Sequence, residues 1–240
     1  MTANVEMIRL VAARLPEIQG GFVFVGGTVV DLLVDDPAAF SPRATDDVDT
    51  IVGVSSNVEV EALNQMLRTA GFRHDMRPGA PICRWLLGSM KVDVMPSDAS
   101  LLGFSSRWYP EALLNAVTID LPDGPPVRTI SAPYFIATKL EAFRSRGGGD
   151  YRESKDIQDI VAVVDGRARL PAEIARAPAT VRPWLAAEVG SLLGTEAFLD
   201  ALPGHLCSDE ASQGRLPLLL SRLRAIQQGR SLGPGSSLGL

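Results

Sequence analysis

The residues best suited to chemistry in this sequence are two aspartates separated by one valine. Asp47 and Asp49 open a segment rich in β-branched residues, which favours a strand. Side chains two residues apart on a strand share a face, so the two carboxylates would lie side by side and repel each other. A hard divalent cation, Mg²⁺ or Mn²⁺, relieves this repulsion because it binds carboxylate and phosphate oxygens together. The pair therefore predicts a metal site.

A third carboxylate lies in a later apolar segment. Asp93 stands in the middle of the run 90–95, where an aspartate lowers the strand propensity and so needs a reason. If it lies beside Asp47 and Asp49, the three carboxylates complete a site for two metal ions. A lone Asp-x-Asp is more often a solvated strand end, so the prediction depends on all three converging on one face of one sheet.

A pair of glycines precedes the aspartates. Gly26 and Gly27 follow the apolar run 22–25, and two glycines let the backbone approach a ligand closely. The N–H groups of a following helix could then bind an anion, and the hydroxyl of Thr28 could add a phosphate contact. Such a turn more often has only a structural role. It supports a phosphate site here because strand, turn, helix and Asp-x-Asp strand follow one another in this order. Arg43, just before the acids, is a further candidate for binding a nucleotide.

The second half of the chain carries a basic segment. Lys139 and Arg146 fall on one face of a predicted helix. In the next helix, Asp156 lies at the edge of the apolar stripe and is the better candidate for a site. Asp159 is predicted to point away from that stripe and to pair with Lys155 in solvent. Spacing alone leaves a solvated helix face as an equal alternative for the two basic residues.

The elements that would position these residues change in type along the chain. Strands and helices alternate in the first part, and the pattern after the breaker cluster 122–126 is almost entirely helical. The predicted strands are 22–25, 47–54, 72–75, 82–87 and 90–95, with a hairpin turn at Gly88-Ser89. The segment 31–45 is predicted to be a loop. The predicted divisions are a core at 1–125, a helical domain at 126–228 and a disordered tail at 229–240.

Composition limits the classes of function. The 240 residues carry a net charge of −5, so any contact with a polyanion must come from a local basic cluster. Two cysteines and two histidines exclude a disulfide framework and a structural zinc site. No apolar run approaches the roughly 20 residues of a membrane span. These features predict a cytoplasmic protein without a membrane partner.

The order of motifs in the first part resembles the DNA polymerase β-type nucleotidyltransferase superfamily. Gly26 and Gly27 match its turn, Asp47 and Asp49 its acidic pair, and Asp93 its third acid. The interval between the turn and the pair is longer than the superfamily usually shows. The resemblance implies an α+β fold, in which a mixed β-sheet core with flanking helices is followed by a C-terminal helical domain.

The second part is similar to the AbiEii-type branch of that superfamily, which includes the toxin halves of some toxin–antitoxin pairs. The similarity rests on Lys-Leu-x-Ala-x-x-x-Arg at 139–146 and Lys-Asp-Ile-x-Asp-Ile at 155–160. In that branch the lysine is held to contact the triphosphate, and the acid of the Lys-Asp pair supports the site. Those roles would fall on Lys139 and Asp156, with Arg146 as a further nucleotide ligand.

The resemblance implies transfer of a nucleoside monophosphate from an NTP, ATP among them, to a hydroxyl acceptor, with pyrophosphate released. Asp47 and Asp49 would hold the ion that carries the triphosphate, and Asp93 would serve a second ion or accept the proton. RNA, tRNA or a protein is the expected acceptor, and an antitoxin protein is a possible partner. A small-molecule nucleotidyltransferase of the aminoglycoside-modifying kind and a non-catalytic nucleotide-binding module remain alternatives. Trp108 is predicted to lie in the core or an interface, and as an alternative Arg107-Trp108-Tyr109 could stack an acceptor base.

Overall fold

The structure is a computed structural model that describes residues 1–18, 20–102, 106–146 and 149–229. The chain divides into two compact units. The first comprises Met1–Leu32 and Arg43–Ser131, and the second comprises Leu33–Pro42 and the chain from Ala132 onward. The predicted tail lies, apart from Gly229, outside the described residues.

The first unit is built on one mixed sheet of seven strands, in the order β3-β4-β5-β2-β1-β7-β6. The strands are β1 (Phe22–Val25), β2 (Asp47–Val52), β3 (Arg73–His74), β4 (Arg84–Leu87), β5 (Met90–Pro96), β6 (Val117–Ile119) and β7 (Val127–Thr129). The interior strand β1 is buried along its whole length, as its uninterrupted apolar sequence predicts. It runs antiparallel to β2, which in turn runs parallel to β5.

The remaining elements of this unit are helices and a short 3₁₀ turn. The helices are α1 (Ala3–Ala12), α2 (Val30–Leu33, which crosses into the second unit), α3 (Asn57–Thr69), α4 (Ala99–Leu102) and α5 (Tyr109–Leu114); the 3₁₀ turn is Gly27–Val29. Helix α3 begins at an N-cap, where the hydroxyl of Ser56 accepts a hydrogen bond from the amide of Glu59. Its predicted C-terminal glycine, Gly71, has a φ of +93°, which favours glycine.

The breaker cluster 122–126 lies between two strands of the sheet. The chain before it forms β6, the chain after it forms β7, and these two strands pair antiparallel. Strand β7 then pairs in parallel with β1, so the sheet includes residues beyond 125 and the first unit extends to Ser131. The sequence does not predict either short strand, since each has only three residues.

The second unit is a bundle of helices. They are α6 (Ala132–Ser145), α7 (Lys155–Gly166), α8 (Leu170–Arg176), α9 (Arg182–Leu193), α10 (Glu196–Ala201), α11 (Glu210–Gln213) and α12 (Leu216–Gln227), with a 3₁₀ turn at Leu202–His205. Helix α6 packs against α7, α8 and α9, and α12 packs against α7, α8 and α9.

The segment Leu33–Pro42, within the predicted loop 31–45, belongs to this helical unit. The backbone amides of Asp35 and Asp36 both donate to the carbonyl of Gly166, each at 3.0 Å. The guanidinium of Arg215 binds the carboxylates of Asp36 at 2.7 Å and of Asp165 at 2.9 Å. Because Asp165 is fully buried, this network anchors the segment firmly to the bundle.

The predicted α+β class is confirmed, with a mixed sheet and a helical C-terminal region. Cys83 and Cys207 are free thiols. In the described part of the chain, every helix is too short or too polar to cross a membrane.

Candidate active site and family

The three predicted carboxylates meet on neighbouring strands. In the register of β2 and β5, Asp49 lies directly beside Asp93, and Asp47 lies one alternation away on the same face. One carboxylate oxygen from each aspartate lies within 4.8 Å of the others. The convergence predicted from strand alternation is therefore present, while the catalytic and metal-binding roles remain predictions.

The donor set of this cluster is suited to a hard divalent cation. All three groups offer carboxylate oxygens, the ligands that Mg²⁺ and Mn²⁺ prefer. Because one oxygen of each group lies within 4.8 Å of the others, Asp47, Asp49 and Asp93 are the residues that would hold such an ion. The residues present thus fit the metal that the superfamily resemblance implies.

Gly26 allows the backbone to pass close to Asp49. Its φ of +73° and ψ of −165° lie in a region that is essentially restricted to glycine. A Cβ atom at this position would lie 2.7 Å from Cγ and 2.9 Å from Cβ of Asp49. The first glycine of the turn is therefore required for the carboxylate to lie where it does.

The hydroxyl of Thr28 forms a hydrogen bond within the protein. The side chain is fully buried, and Oγ1 donates to the backbone carbonyl of Asp47 at 3.1 Å. This hydrogen bond ties the 3₁₀ turn to the start of β2, and the phosphate contact through the same hydroxyl stays a prediction. Helix α2, which follows the turn, has only four residues.

Arg84 is the residue of this site that the sequence reading missed. Its Nε donates to Oδ1 of Asp93 at 2.8 Å, and its Nη2 donates to Oδ2 of Asp93 at 2.7 Å and to Oδ2 of Asp47 at 3.1 Å. The hydrogen bonds to Asp93 raise the pKa of this guanidinium above its already high ordinary value. Beside it, burial and then the charge of Asp93 raise the pKa of the Cys83 thiol to about 12, so that sulfur stays protonated.

Two further predicted contacts of the first unit have different outcomes. The backbone carbonyl of Arg43 accepts a hydrogen bond from the Asn4 side chain at 3.0 Å, and nucleotide binding by its guanidinium stays a prediction. Trp108 is only 6% exposed, and the guanidinium of Arg107 lies 4.7 Å from the centroid of its ring. Its burial agrees with the predicted core position of this tryptophan, and not with the alternative in which it stacks an acceptor base.

In the second unit, the basic and acidic residues of α6 and α7 form a cluster. Lys139 is 9% exposed, and its Nζ lies 2.7 Å from Oδ2 of Asp159 and 3.1 Å from Oδ1 of Asp156. Arg146, whose side chain is 73% exposed, lies 3.6 Å from the other oxygen of Asp156. Asp156 lies in the first turn of α7, where negative charge is favoured by the helix dipole.

The placement of Asp159 corrects the sequence prediction. It is 2% exposed and binds Lys139, whereas the sequence predicts a solvent-facing partner of Lys155. The apolar stripe of α7 does not reveal this contact, because it depends on α6, whose buried lysine binds both Asp156 and Asp159. Asp156 is also buried, and its nucleotide-supporting role stays a prediction.

The comparisons with known proteins agree with this arrangement. The model of a family described as "Nucleotidyl transferase AbiEii toxin, Type IV TA system" matches residues 9–210. No curated protein is significantly similar to the chain. The match spans both the carboxylate cluster and the Lys139 cluster, and it covers most of the sequence. The chain belongs to the AbiEii nucleotidyltransferase toxin family.

Proposed function

We propose that this protein is a Mg²⁺- or Mn²⁺-dependent nucleotidyltransferase that moves a nucleoside monophosphate from an NTP to a hydroxyl of RNA, tRNA or a protein. The observation that carries the proposal is the approach of Asp47, Asp49 and Asp93 to within 4.8 Å of one another. Membership of the AbiEii family supports the reaction class and the role of a toxin controlled by an antitoxin protein.

The chain's own residues have distinct parts in this proposal. Asp47 and Asp49 would hold the ion that accompanies the triphosphate, and Asp93 would serve a second ion or take the proton of the acceptor hydroxyl. The bound cation supplies positive charge that stabilises the phosphates and acidifies the hydroxyl. Gly26 keeps the carboxylate of Asp49 in its place, because any side chain there would displace it.

The bonds change as in other phosphoryl-transfer reactions. The acceptor oxygen attacks the α-phosphorus in line, and a new oxygen–phosphorus bond forms as the bond to the bridging oxygen breaks. Pyrophosphate leaves, and the hydroxyl proton passes to a carboxylate or to solvent. Family resemblance assigns Lys139 and Arg146 to the triphosphate, where positive charge stabilises the leaving group. We propose the cytoplasm, where NTPs are plentiful, as the place of action.

A transfer assay tests the proposal directly. The protein is incubated with Mg²⁺, total RNA and each of four α-³²P-labelled NTPs in turn, and we expect one NTP to label RNA. Asp49→Asn should lose this labelling, while Asp120→Asn, which changes an exposed acid of the same unit, should keep it. Label appearing only in small molecules would identify the aminoglycoside-type alternative. Binding of Mg²⁺–NTP without any transfer would identify a non-catalytic module.

The metal requirement is tested by calorimetry. NTP binding should need Mg²⁺ or Mn²⁺ and weaken sharply in EDTA, because the carboxylate cluster repels a triphosphate unless a cation lies between them. Equal NTP affinity with and without divalent ions would reject the metal-dependent site.

A further inference from the structure

Arg84 lies directly opposite Asp93 in the β4–β5 hairpin. The register pairs the two residues, and paired residues on antiparallel neighbours project to the same face. The Arg84 side chain is 17% exposed, so its position is set by the sheet and by the acids around it. A guanidinium is thus built into the face of the sheet that carries the carboxylate cluster.

The contacts of Arg84 use the oxygens that a metal ion would need. Its Nε and Nη2 donate to the two oxygens of Asp93, at 2.8 and 2.7 Å. Nη2 also donates to Oδ2 of Asp47 at 3.1 Å. Bidentate pairs of this kind are among the stronger hydrogen-bonded contacts in proteins. A divalent cation bound to Asp47 and Asp93 would meet this guanidinium at close range, and like charges at that distance repel.

We propose that Arg84 competes with the divalent cation for Asp47 and Asp93. It holds the carboxylates together when no ion is bound, and it releases at least Asp47 when an ion enters. Free Mg²⁺ therefore binds weakly, and binding becomes favourable when a triphosphate brings further ligands to the ion and negative charge to the site. The inference rests on the proposed function, since it concerns the same carboxylates.

The competition has a consequence opposite to that of a supporting role. If Arg84 only positioned Asp93 for the metal, removing it would weaken metal binding. If Arg84 competes, removing it frees charged hydrogen-bond acceptors for the ion, and the affinity for the metal alone rises. The loss of charge-assisted hydrogen bonds of this kind corresponds to about a ten- to hundredfold change in the binding constant.

The test measures binding of Mn²⁺ alone, without nucleotide, by electron paramagnetic resonance and calorimetry. Arg84→Gln should bind Mn²⁺ about ten- to hundredfold more tightly than the wild type. Arg84→Lys, which keeps the charge and loses the fork, should lie between them. Arg77→Gln is the matched control, because Arg77 pairs with Asp75 near the same hairpin and has no contact with the three carboxylates in this structure. It should leave Mn²⁺ affinity unchanged.

A second measurement uses the unaltered protein and does not depend on the folding of a variant. In ¹⁵N-labelled wild type, the Nη2–H resonance of Arg84 should shift when Mg²⁺ is added at high concentration, because Nη2 is the atom that donates to Asp47 and this contact is released. Unchanged or weaker Mn²⁺ binding by Arg84→Gln, or a resonance that does not move, would overturn the proposal. NTP transfer by the wild type in the same preparations shows whether the proposed function stands regardless of that result.

Discussion

The two charged clusters of this protein differ in how their charges are balanced. The carboxylate cluster of the first unit consists of Asp47, Asp49 and Asp93, and the guanidinium of Arg84 binds two of these acids, Asp47 and Asp93. The lysine cluster of the second unit sets Lys139 and Arg146 against two acids, Asp156 and Asp159. Among the residues named here, acids outnumber bases in the carboxylate cluster, whereas the lysine cluster has two of each.

We interpret the difference as one between a proposed ligand site and a cluster that stabilises the fold. Like charges held together on strands cost stability unless a cation joins them, which is the physical reason for proposing that the carboxylate cluster binds a divalent ion. A buried lysine between two buried carboxylates is satisfied by the protein itself. Contact of Lys139 with a triphosphate, as the family resemblance implies, would use either the third N–H of its ammonium group or the exchange of one of these carboxylates for phosphate.

The largest expected effect is that of Asp49→Asn on transfer. Removing one metal carboxylate should cost on the order of 3 kcal/mol of transition-state stabilisation or more, roughly a hundredfold in rate. The melting temperature without metal should stay the same or rise, because one of several like charges is removed. Transfer assays and thermal melts in EDTA measure the two quantities.

Asp120→Asn serves as the control for this experiment, since it removes a charge from the same unit at an exposed position. A clear fall in the melting temperature of Asp49→Asn, or transfer that equals that of the control, would show that the carboxylate cluster stabilises the fold instead of binding a metal.

Asp159→Asn should show the opposite pattern. The substitution removes the charge of Asp159, which lies 2.7 Å from the ammonium group of buried Lys139. Of the two observed carboxylate partners of this lysine, Asp156 remains charged. We expect the free energy of unfolding to fall by about 1.5–3 kcal/mol, the range for a hydrogen bond to a charged group. Urea denaturation measures this change. A stability equal to that of the wild type would mean that the Lys139–Asp159 ion pair does not stabilise the fold. The proposed difference in role between the lysine cluster and the carboxylate cluster would then be rejected.

These clusters also show what the sequence could predict. Strand alternation placed Asp47, Asp49 and Asp93 on one face because the period of a strand is two, whatever surrounds it. The hairpin turn at Gly88-Ser89 already pairs Leu87 with Met90, and counting back along both strands places Arg84 opposite Asp93. The position of the hairpin turn therefore predicts Arg84 as the partner of the acids, whereas side-chain alternation alone does not reveal it.

Other features depend on contacts between distant parts of the chain. Asp159 is buried because α6 places Lys139 against it, which the periodicity of α7 alone does not reveal. The segment Leu33–Pro42 reads as a polar loop, yet Asp36 is held by Arg215, 179 residues further along the chain. Strand β7 is too short to predict from its own residues and exists because β1 pairs with it.

The smallest expected effect on stability, and the finest test of the comparison, is that of Arg146→Gln. The Arg146 side chain is 73% exposed and lies 3.6 Å from Asp156, a contact worth at most about 1 kcal/mol. Arg144→Gln is a matched control, because Arg144 lies two residues away, is 63% exposed and pairs with Glu188 instead. Both variants should melt close to the wild type.

Nucleotide binding should distinguish the two variants. If Arg146 binds the triphosphate, only Arg146→Gln should weaken Mg²⁺–NTP binding, by roughly tenfold, as expected for one lost charge-assisted hydrogen bond. Calorimetry on the two variants measures this difference. Equal NTP affinities would leave Arg146 as a solvated residue, and the lysine cluster would then act in nucleotide binding through Lys139 or not at all.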